Sequence, residues 1–177
     1  MEQTAASGLK VIETERLMLR QFVSADAPFI LELLNEPSFI QNIGDRHVRT
    51  LSDAERYIET GPITSYAKNG FGLYLVQRKE SNDSMGMCGL IKREALDNVD
   101  VGYAFLPRYW SRGYALESVL AVLEYAQNVV QLDRVVAIVD PNNQGSLRVL
   151  ERSGFRFEKM VRLSEDDIEL KLFTIEI

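Results

Sequence analysis

A single α+β domain is the fold class predicted by this chain of 177 residues. Three observations carry the prediction. The middle of the chain holds three strand-like runs joined by short polar turns, which is the pattern of an antiparallel meander. After Gly113, apolar residues recur three and four apart, the period of a helix with one buried face. Beyond that helix, Val135-Val136-Ala137-Ile138-Val139 is almost wholly apolar, as a strand covered on both faces must be.

Taken in order, residues 1–10 read as a flexible N-terminus and residues 11–177 as the domain. Residues 16–22 alternate polar and apolar, the period of a half-buried strand. Ser24 or Asp26 then caps a helix with Ile30, Leu33 and Leu34 on one face, closed by Pro37. Ser52-Asp53-Ala54-Glu55 has capping-box spacing, and Gly61-Pro62 interrupts the helix it opens. Residues 71–78 and 85–92 form two strands around the polar turn 80–84. A second polar turn at 94–98 leads to a strand over 99–106, ended by Pro107. The following helix carries Leu116, Val119, Leu120, Leu123, Ala126 and Val130 on its apolar side. A last helix over 146–153 stops at Gly154, where a left-handed C-cap is wanted, and strands over 155–162 and 168–175 close the chain.

Composition narrows the function. A net charge of -6 argues against nonspecific nucleic-acid binding and is compatible with a cationic substrate. No run approaches the roughly 20 apolar residues of a membrane span, and the polar start, with Glu2, lacks the apolar core of a signal peptide. A cytoplasmic protein without a membrane partner is expected. Cys88, the single cysteine, has no partner for an intramolecular disulfide and sits in an apolar run, as a small buried hydrophobe does. One histidine and one cysteine do not make a zinc site of the usual type, although carboxylate sites for hard cations stay open. No metal is expected.

Two segments carry chemistry. In Pro107-Arg108-Tyr109-Trp110-Ser111-Arg112-Gly113-Tyr114-Ala115, a glycine and a small residue two places on let a ligand approach the backbone. The free N–H groups of the helix's first turn, and its dipole, then favour an anion such as a pyrophosphate. Alone, Gly113 reads as a residue that merely admits a tight turn. There is neither a G-x-x-x-x-G-K-[ST] loop nor a G-x-G-x-x-G after the first strand. The second segment runs from Asp140-Pro141-Asn142-Asn143 through Ser146 to Gly154-Phe155. By itself it is a capped helix with a glycine stop.

Both segments in this order, with one helix and one strand between them, resemble the GNAT superfamily of acetyl-CoA N-acetyltransferases. The similarity is greatest to its RimJ/RimL-type ribosomal-protein branch. Trp110-Ser111-Arg112-Gly113-Tyr114-Ala115 matches the coenzyme loop [Q/R]-x-x-G-x-[G/A], with the tryptophan common in that branch. Val101-Gly102-Tyr103-Ala104-Phe105-Leu106-Pro107 resembles the strand that pairs with pantetheine. Asn143 and Ser146 match N-x-x-S, and Val149-Leu150-Glu151 with Gly154-Phe155 matches V-L-E-x-x-G-F. Glu13-Thr14-Glu15-Arg16-Leu17-Met18-Leu19-Arg20 resembles the branch's first strand. Two departures stand out. Ser111 replaces a usual glycine, and Phe173 in the last strand removes a tyrosine acid that some relatives use.

The resemblance implies a three-layer α/β/α fold whose mixed, mostly antiparallel central sheet splays between two strands, those over 99–106 and 135–139. Acetyl-CoA, the cosubstrate, would lie in the splay. Its pyrophosphate would meet the loop of Trp110, Ser111, Arg112, Gly113, Tyr114 and Ala115, and its pantetheine would pair with backbone at Tyr103, Ala104, Phe105 and Leu106. Asn143 would position the ligand. Ser146 would donate a proton to the leaving thiolate, or simply serve the helix start. Asp100 would take the proton of the amine, or stand as a strand-edge carboxylate. The segment 39–49 would border the acceptor, with His47 either substrate-facing or solvated, while Glu165-Asp166-Asp167 reads as a hairpin turn. The implied reaction is direct attack of a primary amine on acetyl-CoA in a ternary complex, the amine being a protein N-terminus, possibly of a ribosomal protein, or a small molecule. The competing readings are a noncatalytic acyl-CoA-binding sensor or regulatory domain and a structural domain. Dimers are common in the family, so a homodimer is compatible with the resemblance.

Overall fold

The computed structural model describes residues 7–177; the expected flexibility of residues 1–6 lies outside them. Eight strands form one sheet in the order β1-β2-β3-β4-β5-β6-β8-β7. The strands are β1 (Lys10–Glu13), β2 (Leu17–Arg20), β3 (Leu73–Arg78), β4 (Ser84–Ile91), β5 (Asp100–Phe105), β6 (Arg134–Val139), β7 (Arg156–Val161) and β8 (Leu170–Glu176). Every neighbouring pair is antiparallel except β5 and β6, which run parallel and meet at one position, Asp100 opposite Val136. Beyond that contact the sheet parts, as the resemblance implies.

Alternation along each strand sends side chains to both faces, and helices cover both. One core packs Tyr74, Val76, Cys88, Val101, Val135 and Phe173 against α5 (Tyr114–Tyr125) and α6 (Gln144–Arg152). The other packs Phe22, Leu75 and Met87 against α1 (Ala27–Leu34), α2 (Pro37–Asn42) and α3 (Leu51–Ile58). Cys88 is fully buried, and that burial pushes its thiol up to about 12, so it stays protonated and inert.

Several local expectations shift. The chain before α1 is a 3-10 turn, Ser24–Asp26, and the Asp26 carboxylate, instead of capping α1, is held by Arg20 at 2.7 and 2.9 Å. Pro37, expected to close that helix, begins α2, because a first-turn proline loses no helical bond. The capping box of α3 lies two residues earlier than its spacing suggests. Thr50 caps, and Asp53 returns the bond at 3.0 Å. Gly61-Pro62 does interrupt the α-helix, by way of a π-helical turn, Glu59–Ile63, that leads into α4 (Thr64–Asn69). Strand β1 was not foreseen; it pairs with β2 along the sheet margin. Gly154 does adopt the left-handed C-cap, with φ 94°.

Candidate functional site

A cavity of about 600 Å³ opens where β5 and β6 part. It runs through the sheet. Tyr103 and Ser146 line its mouth on the α5/α6 face, whereas Ala104, Asn42 and Ile43 line it on the α2 face.

The inner edge of β5 is a row of backbone groups with no strand opposite. The Leu106 N–H donates to Met85 of β4 at 2.9 Å, so Ala104 and Gly102, two and four residues back, also turn their backbone to β4. Tyr103 and Phe105 therefore face the gap. The Phe105 carbonyl is already used, since the Trp110 indole N–H donates to it at 2.8 Å. Free for a ligand are the Tyr103 N–H and C=O and the Phe105 N–H. Leu106 offers nothing: its carbonyl accepts from the Tyr109 N–H, and its side chain is wholly buried. Of the four residues expected to pair with pantetheine, two have backbone groups turned to the parting, and Ala104 contributes its side chain to the wall.

The segment from β5 to α5 starts with a 3-10 turn, Pro107–Tyr109, and then changes hand twice, with φ 58° at Ser111 and 82° at Gly113. Gly113 holds this left-handed geometry freely. Ser111 holds it at a cost of about 1 kcal/mol, being an L-residue in glycine's region. Helix α5 follows at once and turns its first-turn amides to the cavity, which Trp110, Ser111, Gly113, Tyr114 and Ala115 line. Arg112 is not among the lining residues, and its carbonyl accepts from Arg16 at 3.0 Å.

At the opposite wall, the Asn143 Oδ1 accepts from the Ser146 N–H at 3.1 Å, so asparagine caps α6 and the serine hydroxyl is spared that duty. Instead it shares a 2.6 Å hydrogen bond with the Tyr103 hydroxyl. Burial pushes the Tyr103 phenol above its ordinary range and keeps it protonated. Its one proton is placed to donate either to the Ser146 Oγ or, at 3.2 Å, to the Ser146 carbonyl; when it takes Oγ, the serine O–H is free to turn into the cavity. The tyrosine's side-chain role was not foreseen, because strand periodicity shows the face a residue takes and not what it meets across a gap. Arg148 and Arg152, one helical turn apart on α6, also line the wall and were not foreseen either. On a helix such residues read as a solvated face.

Asp100 is not among the lining residues. It is 1% exposed on β5, and the Arg93 Nε donates to both its oxygens at 3.1 and 3.2 Å. Burial raises its carboxyl to about 6 against the pull of Arg93. A raised carboxyl favours the neutral form in the folded chain. Its contribution to stability is full below the unfolded value near 4 and is lost as pH rises through about 6, a change of about 3 kcal/mol. Asp100→Asn should therefore gain stability relative to the parent between pH 4.5 and 7.5 in denaturant melts. An unchanged difference across that range would show the carboxylate to be as well placed folded as unfolded.

Among the described residues, no carboxylate lines the cavity. His47 is 85% exposed, in a left-handed turn beside Asp45, while Phe39, Asn42 and Ile43 from the same segment reach the wall. Glu165-Asp166-Asp167 is exposed. Among the described residues, no group of three or more histidine, cysteine or acidic side chains could hold a metal ion, and no helix is long and apolar enough to cross a membrane.

Residues 16–156 match the acetyltransferase (GNAT) domain family. YoaA, an uncharacterized N-acetyltransferase of Bacillus subtilis, is 26% identical over 153 residues, covering 86% of this chain and 86% of that protein. The acetyltransferase from Agrobacterium tumefaciens superposes with a TM-score of 0.81 at 22% identity, over 100% of this chain and 99% of its own. RimL, a ribosomal L7/L12 α-N-protein acetyltransferase solved with coenzyme A, superposes at 0.80 with 18% identity, over 93% and 96% of the two chains.

Proposed function

The chain belongs to the GNAT acetyltransferase family, and we propose that it transfers the acetyl group of acetyl-CoA to a primary amine, either a protein N-terminal α-amine, such as that of a ribosomal protein, or a small amine. The observation that carries this reading is the convergence on one cavity of the α5 amides, the free backbone of Tyr103 and Phe105, and the Ser146 hydroxyl.

The amides of Ser111, Gly113, Tyr114 and Ala115 take the pyrophosphate, and Arg148 and Arg152 add charge beside it. Tyr103 and Phe105 align pantetheine as an added strand and offer an N–H to the oxyanion. The amine comes through the α2 mouth past Asn42 and Ile43, so donor and acceptor reach the parting from opposite faces. As the C–N bond forms and the C–S bond breaks, nitrogen gives up its proton to water, since no carboxylate among the described residues lines the cavity. The Ser146 O–H donates a hydrogen bond to the departing sulfur, whose protonation completes from solvent.

Isothermal titration with acetyl-CoA, followed by thiol release with a panel of amines and N-terminal peptides, tests the reading. Binding with amine-dependent release is expected. Binding without release on any amine would favour the acyl-CoA sensor, and no binding would sink both.

A further inference from the structure

The run Glu13-Thr14-Glu15-Arg16-Leu17 has no part in the chemistry above, yet it lies against the coenzyme loop. Arg16 precedes β2. Its Nε donates to Glu117 Oε2 at 2.6 Å, and its backbone N–H donates to Glu117 Oε1 at 3.0 Å. Its Nη1 donates to the Arg112 carbonyl at 3.0 Å, and its guanidinium lies over the Tyr114 ring at 4.6 Å. Thr14 donates to Glu117 Oε1 at 2.6 Å. Burial pushes the Glu117 carboxyl up, but the bonds from Thr14 and from the Arg16 backbone and side chain outweigh it and hold the carboxyl below its ordinary range.

Arg112 is the residue between the two left-handed positions, Ser111 and Gly113. A bond to its carbonyl therefore grips the loop at the point where its hand changes. Glu117 lies in the first turn of α5. The same guanidinium thus ties loop to helix, and both to the sheet, across about a hundred residues of chain. We infer that Arg16, oriented by Glu117 and Thr14, is a positioning residue that holds the pyrophosphate-binding loop in its ligand-ready shape.

The inference rests on the acetyl-CoA reading of the cavity, and the test separates the two. It compares acetyl-CoA with S-acetylpantetheine, which carries the same thioester but no pyrophosphate, on the full chain. Arg16→Met should weaken acetyl-CoA binding about tenfold, the scale of one lost charge-assisted hydrogen bond. Turnover at saturating acetyl-CoA, and kcat/KM for S-acetylpantetheine, should stay within about twofold of the parent. Glu117→Gln leaves the arginine its charge while loosening its orientation, so it should weaken acetyl-CoA in the same direction. Should Arg16→Met not fold, Glu117→Gln carries the comparison alone. Tighter binding by Glu117→Gln would show Arg16 to be a direct phosphate ligand and overturn the positioning role. Equal losses on both thioesters, or none on either, would also overturn it. A parent chain that binds neither thioester would instead overturn the reading of the cavity.

Discussion

Ser146→Ala should lower kcat by about a hundredfold, the lower end of what one hydrogen-bond donor to a developing charge contributes in enzymes, with acetyl-CoA affinity within about threefold of the parent. The reason lies in how the hydroxyl is held. Asn143 caps α6 and relieves Ser146 of that work, and Tyr103 engages its oxygen at 2.6 Å. The cavity lining has no other hydroxyl on the strand-facing turn of α6 to replace it. Tyr103→Phe keeps the ring in the core but frees the serine to rotate, so a smaller loss, about tenfold, is expected. Combining the two changes should cost little more than Ser146→Ala alone, since both act through one oxygen. Single-turnover thiol release at saturating acetyl-CoA gives the comparison. Full activity in Ser146→Ala would leave the sulfur to solvent and reduce the hydroxyl to a structural contact.

Gly113→Val should all but abolish acetyl-CoA binding. Gly113 has φ 82° and ψ 3°, where an L-residue is less stable by about 1–2 kcal/mol and a β-branched one fares worse. Its new Cβ would also lie 3.2 Å from an Arg16 nitrogen. Arg16 can give way to the new atom, but the backbone must rotate to leave the left-handed region, and the loop's amides then no longer converge. Affinity should fall by about a hundredfold, with the thermal midpoint down by roughly 2–8 °C. A lowered midpoint with unaltered affinity would mean that the segment is only a turn.

Much of this architecture could be read from periodicity. The meander, the long helix after Gly113 and the apolar strand at 135–139 each have one pattern, and nothing in their tertiary surroundings opposes it. What could not be read is set by partners that helix and strand periodicity does not index. Strand β1 has a weak pattern and exists because β2 pairs with it. Asp26 looks like a cap, but Arg20 claims its carboxylate. The left-handed turn before α5 was legible because such a backbone restricts which residues fit, as at Gly113. The Tyr103–Ser146 contact joins residues 43 apart, and no local spacing announces such a meeting. Asp100 shows the opposite case: a lone carboxylate at a strand start looks reactive until the fold buries it against Arg93.

The parting of β5 from β6 has a last consequence, for solubility. Unpaired strand edges are where proteins stick to one another, and most folds blunt them at their margins. This fold keeps one such edge, with the backbone groups of Tyr103 and Phe105, in the interior between α5 and α6. A neighbouring protein's strand arrives with its sheet attached and cannot follow them there. A thin, linear molecule can. The slot thus filters by width before any chemistry begins, and an adhesive edge becomes safe to keep in a crowded solution.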